Sequence, residues 1–318
     1  RLLRWYLNRH AAKMFAGAAD RYAPVGRAIA APLAGDGAVS RAAEALARAE
    51  RPLMVIGSQA IVEAGAADRV AEAVEKLGIP VYLSGMARGL LGRDSPLQMR
   101  HARRKALREA DCVLLAGVPC DFRLDYGKHV RRGATLIAAN RSRKDARLNR
   151  KPAIEAIGDA GRFIAALAER AAAGNRHASW IDLLKARDAE RETEIDEQAK
   201  ARGEHVNPVA FFRALERAAG DNAVFVADGG DFVATASYIL RPRGPLAWPR
   251  LPSRRTSGIS RVHTANGVAT RSSRRGNSFP QPFACHEPRQ PLRGCLRGVS
   301  AVARHSICGR RRSTPGEN

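Results

Sequence analysis

The chain has 318 residues, 45% hydrophobic but 5% aromatic, and carries 54 Lys and Arg against 31 Asp and Glu for a net charge of +23. Its length exceeds one average domain and leaves room for two folded units with cores of small side chains. No apolar run reaches the roughly 20 residues of a membrane span, and Arg1-Leu2-Leu3-Arg4-Trp5-Tyr6 lacks a signal-peptide layout, so a cytoplasmic protein without membrane contact is expected.

The charge is unevenly spread. Residues 249–318 hold 14 Arg, no Lys and only Glu287 and Glu317 as acids, whereas the rest has a moderately basic globular balance. The five cysteines, Cys112, Cys120, Cys285, Cys295 and Cys308, form no CxxC pair and read as free thiols rather than metal ligands.

The first 19 residues place Leu3, Leu7, Ala11, Met14 and Phe15 at helical spacing, an amphipathic helix with nothing upstream to pack on. Pro24, Pro32, Gly35 and Gly37 mark a linker, and Ser40 is expected to cap a helix through Glu50. Short apolar runs then alternate with helical ones. Strands are expected at 53–57, 80–83, 112–117, 135–138 and 153–158, and helices at 67–77, 101–109 and 159–172. Strands that are apolar throughout are buried on both faces, so this alternation predicts a doubly wound parallel α/β sheet.

Ligands of such sheets sit at the carboxyl ends of the strands, near the point where strand order reverses. Four segments fall there: Gly57-Ser58-Gln59, Gly85-Met86-Ala87-Arg88-Gly89, Gly117-Val118-Pro119-Cys120-Asp121-Phe122-Arg123, and Asn140-Arg141-Ser142-Arg143. Their small and polar residues let backbone approach a phosphate or ribose. No GxGxxG follows the first strand. Arg88 and Arg93 have the chemistry to grip a phosphate, or else lie idle on the surface. Cys120 beside Asp121 is read as a small filler of a ligand-facing loop rather than a nucleophile, since no His is near in sequence. His101, His129 and His177 are isolated and carry no functional signal. A charged helix over 180–201 reads as a solvated connector. A helix over 208–218 capped by Asn207, a strand over 223–227 and the turn Asp228-Gly229-Gly230-Asp231 begin a second α/β domain.

The runs Arg51-Pro52-Leu53-Met54-Val55-Ile56-Gly57-Ser58-Gln59, Gly85-Met86-Ala87-Arg88-Gly89-Leu90-Leu91-Gly92-Arg93, Gly117-Val118-Pro119-Cys120-Asp121-Phe122-Arg123 and Val226-Ala227-Asp228-Gly229-Gly230-Asp231-Phe232-Val233 resemble thiamine-diphosphate enzymes, in the acetolactate synthase-like branch that includes 2-hydroxyacyl-CoA lyases. The resemblance spans nearly everything from Trp5 to Trp248. It implies three domains in an intact relative, of which this chain keeps a part. Residues 1–39 would be the exit helix and linker of a missing first domain, 40–172 the central nucleotide-binding-type domain, and 173–205 a helical connector. Residues 206–248 would start the diphosphate-binding domain.

The resemblance also implies thiamine diphosphate and Mg²⁺ in the intact relative, FAD, ADP or CoA as candidates for the central domain, a small-molecule substrate, and homo-oligomers. It makes Gly229, Gly230 and Asp231 candidate cofactor contacts, beside Gly57, Gly85, Arg88, Asp121 and Arg123 of the central loops. The glutamate that activates thiamine lies in the first domain of such enzymes, and a Gly-Asp-Gly segment with a later Asn to hold Mg²⁺ is expected nowhere in this chain. No catalytic or metal residue is therefore assigned, and this chain alone is expected to turn over nothing.

After Trp248 the hydrophobic periodicity stops, and 249–318 is read as a disordered, out-of-frame tail; an Arg rather than Met at position 1 likewise suggests an incomplete reading frame. The other reading of the tail is a phosphate-binding nucleic-acid arm. It lacks lysine and has only Phe279 and Phe283 for stacking, so nucleic acid is the less favoured partner.

Overall fold

A computed structural model describes residues 2–16, 32–170, 176–227, 231–248 and 262–265. Six parallel strands form the main sheet: β1 (Pro52–Ile56), β2 (Val81–Leu83), β3 (Gln98–Met99), β4 (Cys112–Ala116), β5 (Thr135–Asn140) and β6 (Ile154–Ile157). Their order is β3-β2-β1-β4-β5-β6, so the sheet winds outward in both directions from β1 and β4. These two run in register from Pro52 beside Cys112 to Ile56 beside Ala116.

Alternate side chains of each strand serve opposite faces. Met54, Ile56, Leu114 and Ile137 pack beneath α2 (Asp36–Arg48), α3 (Ala67–Leu77) and α6 (Ala160–Arg170), with Val39, Val74 and Phe163 from the helices. Leu53, Val55, Val113 and Leu115 face the other way, toward Leu107 of α4 (Arg103–Glu109) and Trp180, Ile181 and Leu184 of α7 (Ala178–Lys200). The expected doubly wound sheet is what the chain forms.

Several boundaries differ from the sequence reading. Helix α2 begins at Asp36 behind Gly35, and Ser40 lies within it as no cap, because the apolar stripe facing the sheet already starts at Ala38 and Val39. The helix expected from His101 begins at Arg103, since Ala102 takes a left-handed backbone (φ 53°) that breaks the turn. The two-residue β3 is too short to show a period. A short helix α5 (Arg143–Ala146) follows β5, with the Ser142 side chain accepting from the Asp145 amide.

The largest correction concerns α7. It was expected to be a solvated connector, but its first half covers one face of the sheet through Trp180, whose Nε1 donates to the Pro52 carbonyl at 3.0 Å. Its second half contributes Ile195 to another core, with Phe212 of α8 (Pro208–Ala218), Phe225 of β7 (Val224–Ala227), Ala236 and Ile239 of α9 (Asp231–Ile239), and Trp248. Asn207 caps α8 as expected, accepting from the amides of Val209 (2.9 Å) and Ala210 (3.3 Å).

Strand β7 pairs antiparallel with β8 (Val262–Ala265). That corrects the expectation of no regular structure after Trp248: β8 holds two β-branched residues and meets a strand edge with open donors and acceptors. The other tail residues, and so the remainder of that expectation, lie outside the described residues. Helix α1 (Leu2–Phe15) forms as its spacing predicts, with Leu2, Leu3, Trp5, Leu7 and Met14 exposed.

Candidate functional site

The loops that leave β1 and β4 meet where strand order reverses. A Cβ on Gly57 would lie 2.6 Å from the Gly117 carbonyl oxygen and 2.5 Å from Val118 Cγ2. Gly117 has φ +69°, and a Cβ there would lie 2.8 Å from Gln59 Cβ. Both positions therefore require glycine, one for close approach and the other for its backbone as well. The amide of Gly57 donates to Ala116 O, and that of Gly117 to Ala139 O, which carries the sheet's hydrogen bonding into both loops.

Polar groups from the neighbouring strand ends gather beside this contact. Asn140, the last residue of β5, is buried; its Oδ1 accepts from the Ser142 amide at 3.0 Å. Arg141 donates to Asp159, just after β6, at 2.5 Å, and Asp159 also accepts from the Arg162 amide. Among the described residues, Gln59 Oε1, Asn140 Nδ2 and Arg141 Nε are buried without a hydrogen-bond partner. Buried polar atoms are ordinarily satisfied, so an acceptor, an amide donor and a guanidinium donor at or just past the ends of β1 and β5 remain open to a polar ligand.

The other expected site residues are placed unevenly. Gly85 packs against Ser58, whose Oγ accepts from the Met86 amide at 3.0 Å. Asp121 and Arg123 lie farther along the β4 loop and engage each other: Nη2 to Oδ2 is 2.6 Å, and Asp121 also accepts from the Arg123 amide. Burial opposes the Asp121 charge, but the Arg123 bonds win and hold its carboxyl below the usual range. Arg88 does not reach the β1 and β4 loops. It turns toward α9 and donates to the Ser237 carbonyl at 2.7 Å, because the chain bends away after Gly85. Arg93 is a surface residue paired with Asp94 and Asp221. Cys120 is buried, and burial pushes its thiol up to about 11, which suits a filler rather than a nucleophile.

Sequence reasoning missed a polar network around β3. The amides of Arg100 and His101 donate to Asp188 of α7 at 2.7 and 2.9 Å. His101 is buried, with Nε2 3.0 Å from Glu192 Oε1 and its ring edge-on to Tyr238. Glu192 also meets Arg213 at 2.5 Å and Arg241 at 3.2 Å. Burial works against the Glu192 charge, but these partners outweigh it and hold the carboxyl well below its ordinary range. Burial instead raises Asp188, only partly offset by the two amides. The acids sit at positions 188 and 192 of a helix, a spacing of one turn. That was the available signal.

Gly229 and Gly230 lie outside the described residues, and Asp231 opens α9. The described residues hold no group of three His, Cys, Asp or Glu able to bind a metal ion. A Gly-Asp-Gly tripeptide does occur at Gly35-Asp36-Gly37, but it enters α2, where exposed Asp36 pairs with Arg170 at 2.9 Å. The described residues thus do not fit a Mg²⁺-bound diphosphate. No described helix is long and apolar enough to cross a membrane.

Residues 39–167 match the model of the thiamine pyrophosphate enzyme family, central domain. The 2-hydroxyacyl-CoA lyase 2 of Homo sapiens is 41% identical over 253 residues, covering 78% of this chain and 40% of its own. An acetolactate synthase large subunit of Mycobacterium tuberculosis is 34% identical over 220 residues, covering 68% of this chain and 39% of its own. This chain therefore spans about 40% of the length of such relatives. The crystal structure of benzoylformate decarboxylase from Polynucleobacter necessarius shares the fold, with a TM-score of 0.52 at 14% identity over 72% of this chain and 43% of that one. The chain belongs to the thiamine pyrophosphate enzyme family and carries that family's central domain.

Proposed function

We propose that the chain serves an enzyme that makes or breaks a carbon–carbon bond next to a carbonyl, acting on a 2-hydroxyacyl-CoA or a 2-oxo acid. The observation that carries this reading is the 41% identity over 253 residues with a 2-hydroxyacyl-CoA lyase. Thiamine diphosphate, held through Mg²⁺, would supply the stabilised carbanion. The residues described here hold no step of that chemistry, so the chain alone is expected to be inactive, and the intact enzyme is expected to be a cytoplasmic homo-oligomer. Purified chain given thiamine diphosphate, Mg²⁺ and a 2-hydroxyacyl-CoA should release no aldehyde, and measurable release would overturn the assignment of catalysis to residues other than these.

The part assigned to this chain is binding of a nucleotide, FAD, ADP or CoA, at the ends of β1, β4, β5 and β6. The unpartnered atoms of Gln59, Asn140 and Arg141 favour it. A ligand that binds only the folded state raises the melting temperature by mass action. One of the three nucleotides should do so, and Gln59→Leu should abolish the shift without lowering the ligand-free melting temperature. A flat response to all three sinks this reading. Phosphate-dependent nucleic-acid binding by 249–318 is the alternative; salt-sensitive binding lost on deleting that stretch would favour it.

A further inference from the structure

A cavity lies away from the β1 and β4 loops, between the ends of β2 and β3, the start of α4 and the last turn of α9. It encloses about 280 Å³, many times the roughly 10–15 Å³ a water needs, and is lined by Tyr82, Arg88, Gln98, Arg100, Arg103 and Tyr238 among others. No described lining residue is acidic. We infer that this cavity is an anion site that takes a phosphate or diphosphate group on the guanidiniums of Arg88, Arg100 and Arg103.

Each arginine is anchored through a backbone carbonyl. Arg88 Nη1 donates to Ser237 O, Arg100 Nη2 to Tyr238 O and Ile239 O at 2.9 Å each, and Arg103 Nη2 to Arg123 O at 2.9 Å. These bonds fix the forks while leaving further N–H donors of each guanidinium available. Among the described residues, Arg88 and Arg103 have no carboxylate at ion-pair distance. Arg100 has Glu192 at 3.9 Å, with Asp188 also near, and Asp121 acts on Arg103 from the β4 loop. Burial, then Arg103 and Arg100, draw Arg88 down to about 10; burial, then Arg241, do the same to Arg100. Arg88 therefore feels the charges of both Arg103 and Arg100 in a poorly solvated space, a costly arrangement unless an anion completes it.

The residue types point to the ligand. Arginine forks match phosphate oxygens bidentately, whereas carbonyl anchoring alone would need only one donor from each side chain. The Gln98 carboxamide is a neutral polar member of the lining, and its Oε1 is buried without a partner. Turning the amide over would offer its NH₂ to an anion.

This inference stands apart from the nucleotide reading at the β1 and β4 loops. The test uses the full chain at low salt, with pyrophosphate as the probe and ADP and CoA as parallel arms, followed by calorimetry and thermal melting. Pyrophosphate should bind, and Arg103→Gln should weaken it at least tenfold while leaving the ligand-free melting temperature unchanged or raised, because a charge that repels the buried Arg88 is gone. Arg103→Lys, which keeps the charge and loses the fork, should also weaken binding. CoA binding more tightly than ADP and pyrophosphate would identify the phosphate as that of an acyl-CoA handle; equal binding of ADP and pyrophosphate would identify a free nucleotide or diphosphate. Absence of binding by all three ligands overturns the inference, as does binding that neither Arg103 variant changes. Gln59→Leu should leave pyrophosphate binding intact, so the two sites fail separately.

Discussion

The sheet of β1–β6 and the region from the second half of α7 to β8 are stabilised in contrasting ways. The sheet has a core on each face, and its strand interiors β1 and β4 are buried at every residue. The buried polar residues Ser84, Asn140 and Asp159 lie at its carboxyl edge, where ligands bind in folds of this kind. The later region has one small core, and the described part of its sheet is a single antiparallel pair. Its attachment to the sheet runs through charged groups: Arg88 and Arg100 on the carbonyls of α9, and Glu192 among His101, Arg213 and Arg241. One region is held by a core on each face, whereas the other has a small core of its own and meets the sheet through geometry among charges. They should respond differently to cavities, to pH and to salt.

The largest effect is expected from a cavity in the sheet. Leu114 lies fully buried in the middle of β4, so Leu114→Ala should cost about 4 kcal/mol, the transfer of its methyl groups plus the void left behind. Two buried tryptophans separate the regions: Trp180 sits against β1, and Trp248 sits 6.0 Å from the Phe225 ring. Urea unfolding followed in variants that retain one of these two tryptophans should show the loss mainly in the Trp180 signal. An equal loss in both would mean that the regions unfold as one cooperative unit and would remove the contrast.

Next is the charged junction. Glu192→Gln keeps the shape but leaves His101, Arg213 and Arg241 facing a neutral amide. Removing one partner of a buried pair costs about 3–5 kcal/mol; Glu192 is partly exposed, so about 2 kcal/mol is expected, chiefly in the Trp248 transition. The sign of its pH dependence follows from the depressed carboxyl. Its contribution is complete above the unfolded value of about 4.3 and is lost as pH falls through the folded value. Asp188, raised by burial, acts in the opposite sense and gains as it protonates. The gap between Glu192→Gln and the unsubstituted chain should narrow as the medium is acidified below the unfolded value. A gap as wide in acid as at neutral pH would show that the residue acts by packing alone.

Why the sheet was readable in sequence and the junction was not follows from the same contrast. Leu53-Met54-Val55-Ile56 and Cys112-Val113-Leu114-Leu115-Ala116 are apolar at every position, and only a strand covered on both faces calls for that. The β1 and β4 loops were readable because Gly57 and Gly117 mark where backbone must come close. The junction brings together residues 88, 100–103, 188–192, 213 and 238–243, whose meeting depends on tertiary structure. Asp188 and Glu192 look like any solvated pair on a charged helix until the sheet edge arrives beside them. Arg88 reads in sequence as a cation able to grip a phosphate or else idle on the surface, and its direction was set by the bend after Gly85, which carries no sequence period. Strand β8 was missed because four residues in an arginine-rich stretch offer no repeating pattern.

The smallest effect concerns a feature that sequence and structure place identically. Asn207 caps α8 through bonds from its side-chain oxygen to the amides of Val209 and Ala210, while its Nδ2 donates to Gln198 O at 2.8 Å and Ala201 O at 3.0 Å at the end of α7. One side chain thus closes two helices, satisfying amides of one and carbonyls of the other. Loss of an N-cap costs about 1 kcal/mol, and Asn207→Ala should show it in the Trp248 transition with the Trp180 transition unmoved. Asn207→Asp isolates the two halves of the role: it keeps the acceptor for α8, adds a favourable charge at the helix N-terminus and removes the donor to α7. If the α8 cap dominates, the aspartate variant is at least as stable as the parent. If it is as weak as the alanine variant, the bond to the end of α7 is what holds the later region together, and its stability depends on one more polar contact than its small core suggests.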